Sequence, residues 1–125
     1  MSKGSEIYKA FIDDLVKMSR SCVSANRVIK GTVPGVVAAE TGINDVLAKL
    51  DDKDKTILAQ YVLDAYHCGI YDTLEQLEWL RECKDMVITV EGEVLPAGKY
   101  EGIPNDYIGR RDDWEWPEDT VDEDA

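Results

Sequence analysis

Apolar residues recur at steps of three and four through most of the stretch from Ile7 to Cys83, and at steps of two after Asp85. The first period belongs to helices with one buried face and the second to a strand with one buried face. The pattern therefore predicts a mainly α fold: a four-helix core with a short C-terminal β-hairpin.

The first stripe, Ile7, Phe11, Leu15, Met18 and Cys22, predicts a helix from about Ser5 to Cys22, with Ser5 as its cap. A second helix carries Ile43, Val46, Leu47 and Leu50. It can begin at Pro34, which suits a first helical position, or at Thr41; Gly42 leaves both open. Asp51, with Asp54 three residues on, starts a third helix along Leu58, Tyr61, Val62, Ala65 and Tyr66, and Gly69 is a place for it to end or bend. The fourth stripe, Ile70, Leu74, Leu77, Leu80 and Cys83, follows, with Asp72 as a candidate cap.

The segment 23–35, punctuated by Gly31, Pro34 and Gly35, reads as a loop. Met86 to Leu95 reads as a hairpin turning at Glu91-Gly92, and Asn105 to about Trp114 as a last short helix stopped by Pro117. The expected core contains Phe11, Leu15, Ile43, Leu47, Leu58, Val62, Leu74, Leu77 and Leu80. A chain of 125 residues predicts one domain. Residues 1–117 form the expected helical domain with its hairpin, and residues 118–125 a disordered acidic tail.

The formal net charge is -12, from 26 acids and 14 bases. Eight of the acids and no base fall in residues 112–125. A chain this acidic is expected to bind neither nucleic acid nor an anionic membrane surface. One window runs the other way: Leu15 to Ala39 contains no acid but holds Lys17, Arg20, Arg27 and Lys30. Arg20, Arg27 and Lys30 are the candidate anion-binding residues. Three cysteines, Cys22, Cys68 and Cys83, include no CxxC pair. With no leader pattern before the first helix, the expected location is the reduced cytoplasm. No apolar run reaches the length of a membrane span.

The one histidine, His67, excludes sites that need two, such as the HExxH zinc helix. Asp64 and His67 lie three apart on one helical face and form a candidate polar site. Asp52 to Thr56 resembles the opening of a calcium loop, but Ile57 replaces the needed glycine and Leu63 the closing glutamate. There is no GxGxxG, GxxxxGK[ST] or GxSxG. No metal and no cofactor are expected, and no residue is assigned a catalytic role.

The aromatic residues say more. Trp79 lies roughly 200° around its helix from Leu77, and Tyr71 is also off the main stripe. Trp114 and Trp116 sit among Asp112, Asp113 and Glu115. Aromatic residues off a core stripe are candidate interface anchors, so Trp79, Tyr71, Trp114 and Trp116 are the candidate interaction residues.

Gly69-Ile70-Tyr71-Asp72 with Leu74, Leu77 and Leu80 is similar to a helix of small uncharacterised bacterial proteins. Asp106-Tyr107-Ile108-Gly109-Arg110-Arg111 with Trp116-Pro117 resembles their ending. The resemblance covers the C-terminal half only. It implies a bacterial or phage origin and adds no functional residue.

The expected function is that of a non-enzymatic protein-interaction module, in one version an immunity-type or antitoxin-type binder, in another a regulatory one. Its partner is expected to be another protein, with a homodimer as one form. The alternative is a small enzyme or anion-ligand-binding protein with a site near the 23–35 loop and His67.

Overall fold

The computed structural model describes residues 2–117, with the side chain of Val37 excepted. The tail expected at 118–125 lies outside these residues. The elements run α1 (Lys3–Ser19), α2 (Val23–Lys30), α3 (Val36–Thr41), α4 (Ile43–Leu47), α5 (Asp52–Cys83), β1 (Thr89–Val90), β2 (Glu93–Val94) and α6 (Ile103–Arg111). The fold is mainly helical with a short antiparallel hairpin, as its periodicities indicate. Two compact units share the chain: Met1–Lys17 with Ile70–Ala125, and Met18–Gly69.

In the first unit the buried stripe of α1 is Tyr8, Ile12 and Val16. These lie one residue on from Ile7, Phe11 and Leu15, which pack half-buried beside them. Leu74 from α5, Leu95 after the hairpin, and Ile103 and Tyr107 from α6 complete this core. Leu77 packs against it half-buried, and Leu80 is also half-buried. The second unit is centred on Ala25, Val28, Leu47 and Ala59. Ile43, Leu58 and Val62 pack around them, which accounts for the rest of the expected core.

Four local expectations are corrected. Residues 23–30 are helical rather than a loop. The Cys22 sulfur accepts a hydrogen bond from the Ala25 N–H at 3.4 Å, Gly31 closes the helix at φ 88°, and Ala25 and Val28, three apart, bury one face. The segment read as one second helix is two short ones. Gly42, at φ 69°, ends α3 and opens α4, so Thr41 is a last residue and not a cap. The third and fourth helices are one continuous α5. Gly69 is tolerated inside it at a cost of about 1 kcal/mol, so neither a break at Gly69 nor a cap at Asp72 is used. Asp51 does cap this helix, accepting from the Asp54 N–H at 2.8 Å. At α1 the capping oxygen belongs to Ser2, which accepts from the Ser5 N–H at 3.2 Å, rather than to Ser5.

The hairpin turns at Glu91 (φ 52°) and Gly92 (φ 77°). Two consecutive positive φ values suit the right-handed twist of a tight hairpin. Thr89 pairs with Val94 and Val90 with Glu93. The last helix starts at Ile103, two residues before the expected Asn105, with Pro104 in its first turn. It ends at Arg111, leaving Trp114 beyond it.

Gly4 lets α1 approach β2. A Cβ built there would stand 2.5 Å from the Val94 carbonyl oxygen, a backbone atom that cannot swing away. Gly69 meets nothing within 4 Å. The same substitution should therefore have opposite signs. Gly4→Ala is expected to destabilise by about 1–3 kcal/mol, and Gly69→Ala to stabilise by roughly 0.5–1 kcal/mol. Urea unfolding of the two variants checks this; equal midpoints would show that the hairpin does not press on α1.

Candidate functional site

A dense polar cluster lies inside the first unit, where α1, α5 and α6 meet. Glu78 and Arg81 are three apart on α5, the spacing that places side chains on one helical face. Arg81 grips the Glu78 carboxylate with two N–H groups, Nε to Oε2 at 2.7 Å and Nη2 to Oε1 at 3.1 Å. Its Nη1 donates to the Pro96 carbonyl at 3.0 Å. Glu78 Oε1 also accepts from the Ile103 N–H at 3.0 Å. That bond caps α6, whose own cap residue, Gly102, has no side chain to offer. Gly102 is needed twice over: its φ is 103°, and a Cβ there would lie 2.9 Å from Glu78 Oε1.

Tyr8 and Asp106 form the second half of the cluster. The Tyr8 hydroxyl donates to Asp106 Oδ2 at 2.5 Å, and Asp106 Oδ1 accepts from the Glu101 N–H at 3.1 Å. The Arg81 guanidinium stands 6.0 Å from the Tyr8 ring centre. Exposure decides what this arrangement can do: Tyr8 is 1% exposed, Asp106 0%, Glu78 8% and Arg81 9%. Each group is engaged with another and shielded from solvent. The cluster is a structural clamp.

Its electrostatics follow. Burial raises the Asp106 carboxyl above its ordinary 3.8, against the pull of the Tyr8 hydroxyl and the Glu101 N–H. Burial would also raise Glu78, but the Arg81 guanidinium and the Ile103 N–H outweigh it and hold that carboxyl below 4.5. Burial first, then the neighbouring Asp106 carboxylate, pushes the Tyr8 phenol well above its usual range.

An aromatic layer covers the clamp. Tyr100 stacks on Tyr8 with centroids 5.6 Å apart, and Trp116 meets both edge-on at 5.0 and 6.0 Å. Trp114 packs on Trp116 at 5.3 Å, and its ring lies where a side chain on Gly109 would otherwise stand. Arg110 fixes the segment by pairing with Asp13 at 2.7 Å and donating to the Trp114 carbonyl, while Trp116 Nε1 donates to Asp13 at 3.4 Å. The two tryptophans thus dock onto the fold.

The other candidate residues are scattered. Trp79 is 46% exposed, with the Lys84 ammonium 5.6 Å from its ring. Tyr71 is half-buried against the first core, and a hydrogen bond to Glu75 raises its phenol. Arg20 and Lys30 are exposed, whereas Arg27 is half-buried and lines a cavity in the second unit with Ser24, Val28 and Val33. Asp64 is exposed, 4.0 Å from the Cys68 sulfur, and His67 is half-buried. Among the described residues no group of three or more His, Cys, Asp or Glu side chains is placed to hold a metal ion. Sequence reasoning did not single out the clamp. Tyr8 and Asp106 are 98 residues apart, and the one local signal was the Glu78/Arg81 spacing, common in any charged helix.

Arg81→Met would leave a carboxylate buried without its cation, a loss of about 3–5 kcal/mol. The double variant Glu78→Gln/Arg81→Met should lose less, because Gln can still accept from Ile103. Urea unfolding of both variants decides it; equal losses would show that the charge pair is not the cause. Asp106 has the opposite pH sign to Glu78. A carboxyl raised by folding contributes fully below its unfolded value and loses that contribution as pH rises through its folded value. The stability of the native protein relative to Asp106→Asn should therefore fall as pH rises from about 4. A difference that grows with pH would reverse the assignment.

Residues 1–118 match a family described as a family of unknown function, DUF6547. The match extends through the N-terminal half, beyond the C-terminal segments that carried the resemblance. Neither the curated proteins nor the solved structures return a match. By a match that spans nearly all of its length, the chain belongs to the DUF6547 family.

Proposed function

We propose that this protein is a non-enzymatic interaction module that binds another protein through the exposed apolar side of α5. The observation that carries this reading is the exposure of Ile57 and Tyr61, 61% and 72%. They lie four residues apart and so share a helical face. With Val46 and Leu50 they line a shallow, largely apolar groove of about 430 Å³. Leaving such side chains wet costs burial energy that a partner would recover, and aromatic side chains are frequent anchors of such contacts. Trp79, in the first unit, offers a second exposed aromatic on the same helix.

The sealed clamp supports the reading from the other side. The titratable groups of the buried cluster, Tyr8, Glu78, Arg81 and Asp106, are spent on holding α6 and the aromatic layer. Trp114 and Trp116 are likewise used within the first unit, so the reading rests on Ile57 and Tyr61, with Trp79 as a further exposed aromatic. The net charge of -12 favours a basic partner and would speed the encounter. An immunity-type or antitoxin-type role is the concrete version.

The test is affinity capture at low and high salt with the native chain, Ile57→Ser/Tyr61→Ser and Trp79→Ser, alongside the mass in solution. The expected result is one partner, weakened at least tenfold by the Ile57/Tyr61 variant and weakened further by salt. A dimer abolished by that variant would make the partner a second copy. Capture unchanged by either variant, or no partner and a monomer, would overturn the proposal. A partner insensitive to salt would remove the basic-partner version.

A further inference from the structure

The cavity beside Arg27 in the second unit shares Val46 with the α5 groove but is otherwise lined by different residues. Its volume is about 390 Å³, within the range of roughly 300–1,000 Å³ typical of small-molecule sites. Its walls are aliphatic: Val28 from α2, Val33 from the following segment, Ile43 and Val46 from α4, and Val62 from α5. Arg27 brings the one charge to the lining, Ser24 and Thr41 bring hydroxyls, and no acid takes part.

The wall is held in place before any ligand arrives. The Asn44 side chain accepts from the Val33 N–H at 2.7 Å and donates to the Val33 carbonyl at 2.9 Å. This two-way bond ties the segment after α2 to α4. Behind it Leu47 is fully buried and Val28 nearly so.

Charge chooses the ligand class. Arg27 is half-buried as a residue and makes no ion pair among the described residues. It lies within the acid-free window from Leu15 to Ala39. A guanidinium presents a planar fork of donors that matches a carboxylate, and the match strengthens beside apolar walls. Aliphatic walls call for an apolar body, and an ammonium head would be repelled.

We infer that this cavity binds a small apolar monocarboxylic acid, its carboxylate on Arg27 and its hydrocarbon body against the valine-rich walls. The experiment titrates the full chain with octanoate, octanol and octylamine at neutral pH, by calorimetry and by methyl NMR. Octanoate is expected to shift the methyl signals of Val33, Ile43 and Val62 and to bind at least tenfold tighter than octanol or octylamine. Arg27→Gln should bring octanoate down to the affinity of octanol, and Arg27→Lys should keep part of the preference. No saturable octanoate binding, octanoate bound no tighter than octanol, shifts centred on other methyl groups, or an Arg27→Gln variant that keeps the preference would each overturn the inference. The comparison of head groups on the native chain decides the point even if Arg27→Gln fails to fold.

Discussion

The first unit depends on where the Glu78 carboxylate sits. A helix start leaves backbone N–H groups without partners inside the helix, and α6 begins after a glycine that offers no capping side chain. Glu78 supplies the missing acceptor from α5, and Arg81 supplies the cation that makes its burial tolerable. Remove the cation and a charge is stranded in the interior; replace Gly102 and the acceptor is pushed aside. The clamp therefore fixes more than a pair of residues. It fixes where α6 starts, and hence where Asp106 meets Tyr8 and where the chain turns toward Trp114 and Trp116.

The second unit is built differently. Its core is made of small and aliphatic residues, Ala25, Val28, Leu47 and Ala59. Two helices of six and five residues close part of it. The cavity beside Arg27 and the groove at Ile57 and Tyr61 both belong to this unit. The buried Glu78–Arg81 pair lies in the first unit, and the two apolar openings described lie in the second.

Much of the fold was legible as periodicity. Most of the helical stretches, the period-two segment and the Glu91-Gly92 turn stand as read, because each depends on residues a few positions apart. Errors arose where a local signal was overruled. Gly69 has the chemistry of a helix end, but packed residues on both sides, Leu58 and Val62 in one core and Ile70 and Leu74 in the other, keep α5 continuous through it. Residues 23–30 looked like a loop because Cys22 is an uncommon cap and the buried face is only Ala25 and Val28. The stripe on α1 was placed one residue early because Tyr8 carries a hydroxyl, and only Asp106 makes that hydroxyl acceptable in a core. The clamp lay beyond reach for the same reason: its partners come from α1, α5 and α6, and no spacing rule links them.

The tie between Asn44 and Val33 also has a kinetic meaning. Helices as short as α3 and α4 are not stable alone, since nucleation is costly and few bonds repay it. Their persistence rests on contacts such as this amide pair and on Leu47. Local opening draws on the least stable parts of a structure. Backbone amides of α3 and α4 should thus exchange with solvent faster than those in the middle of α5.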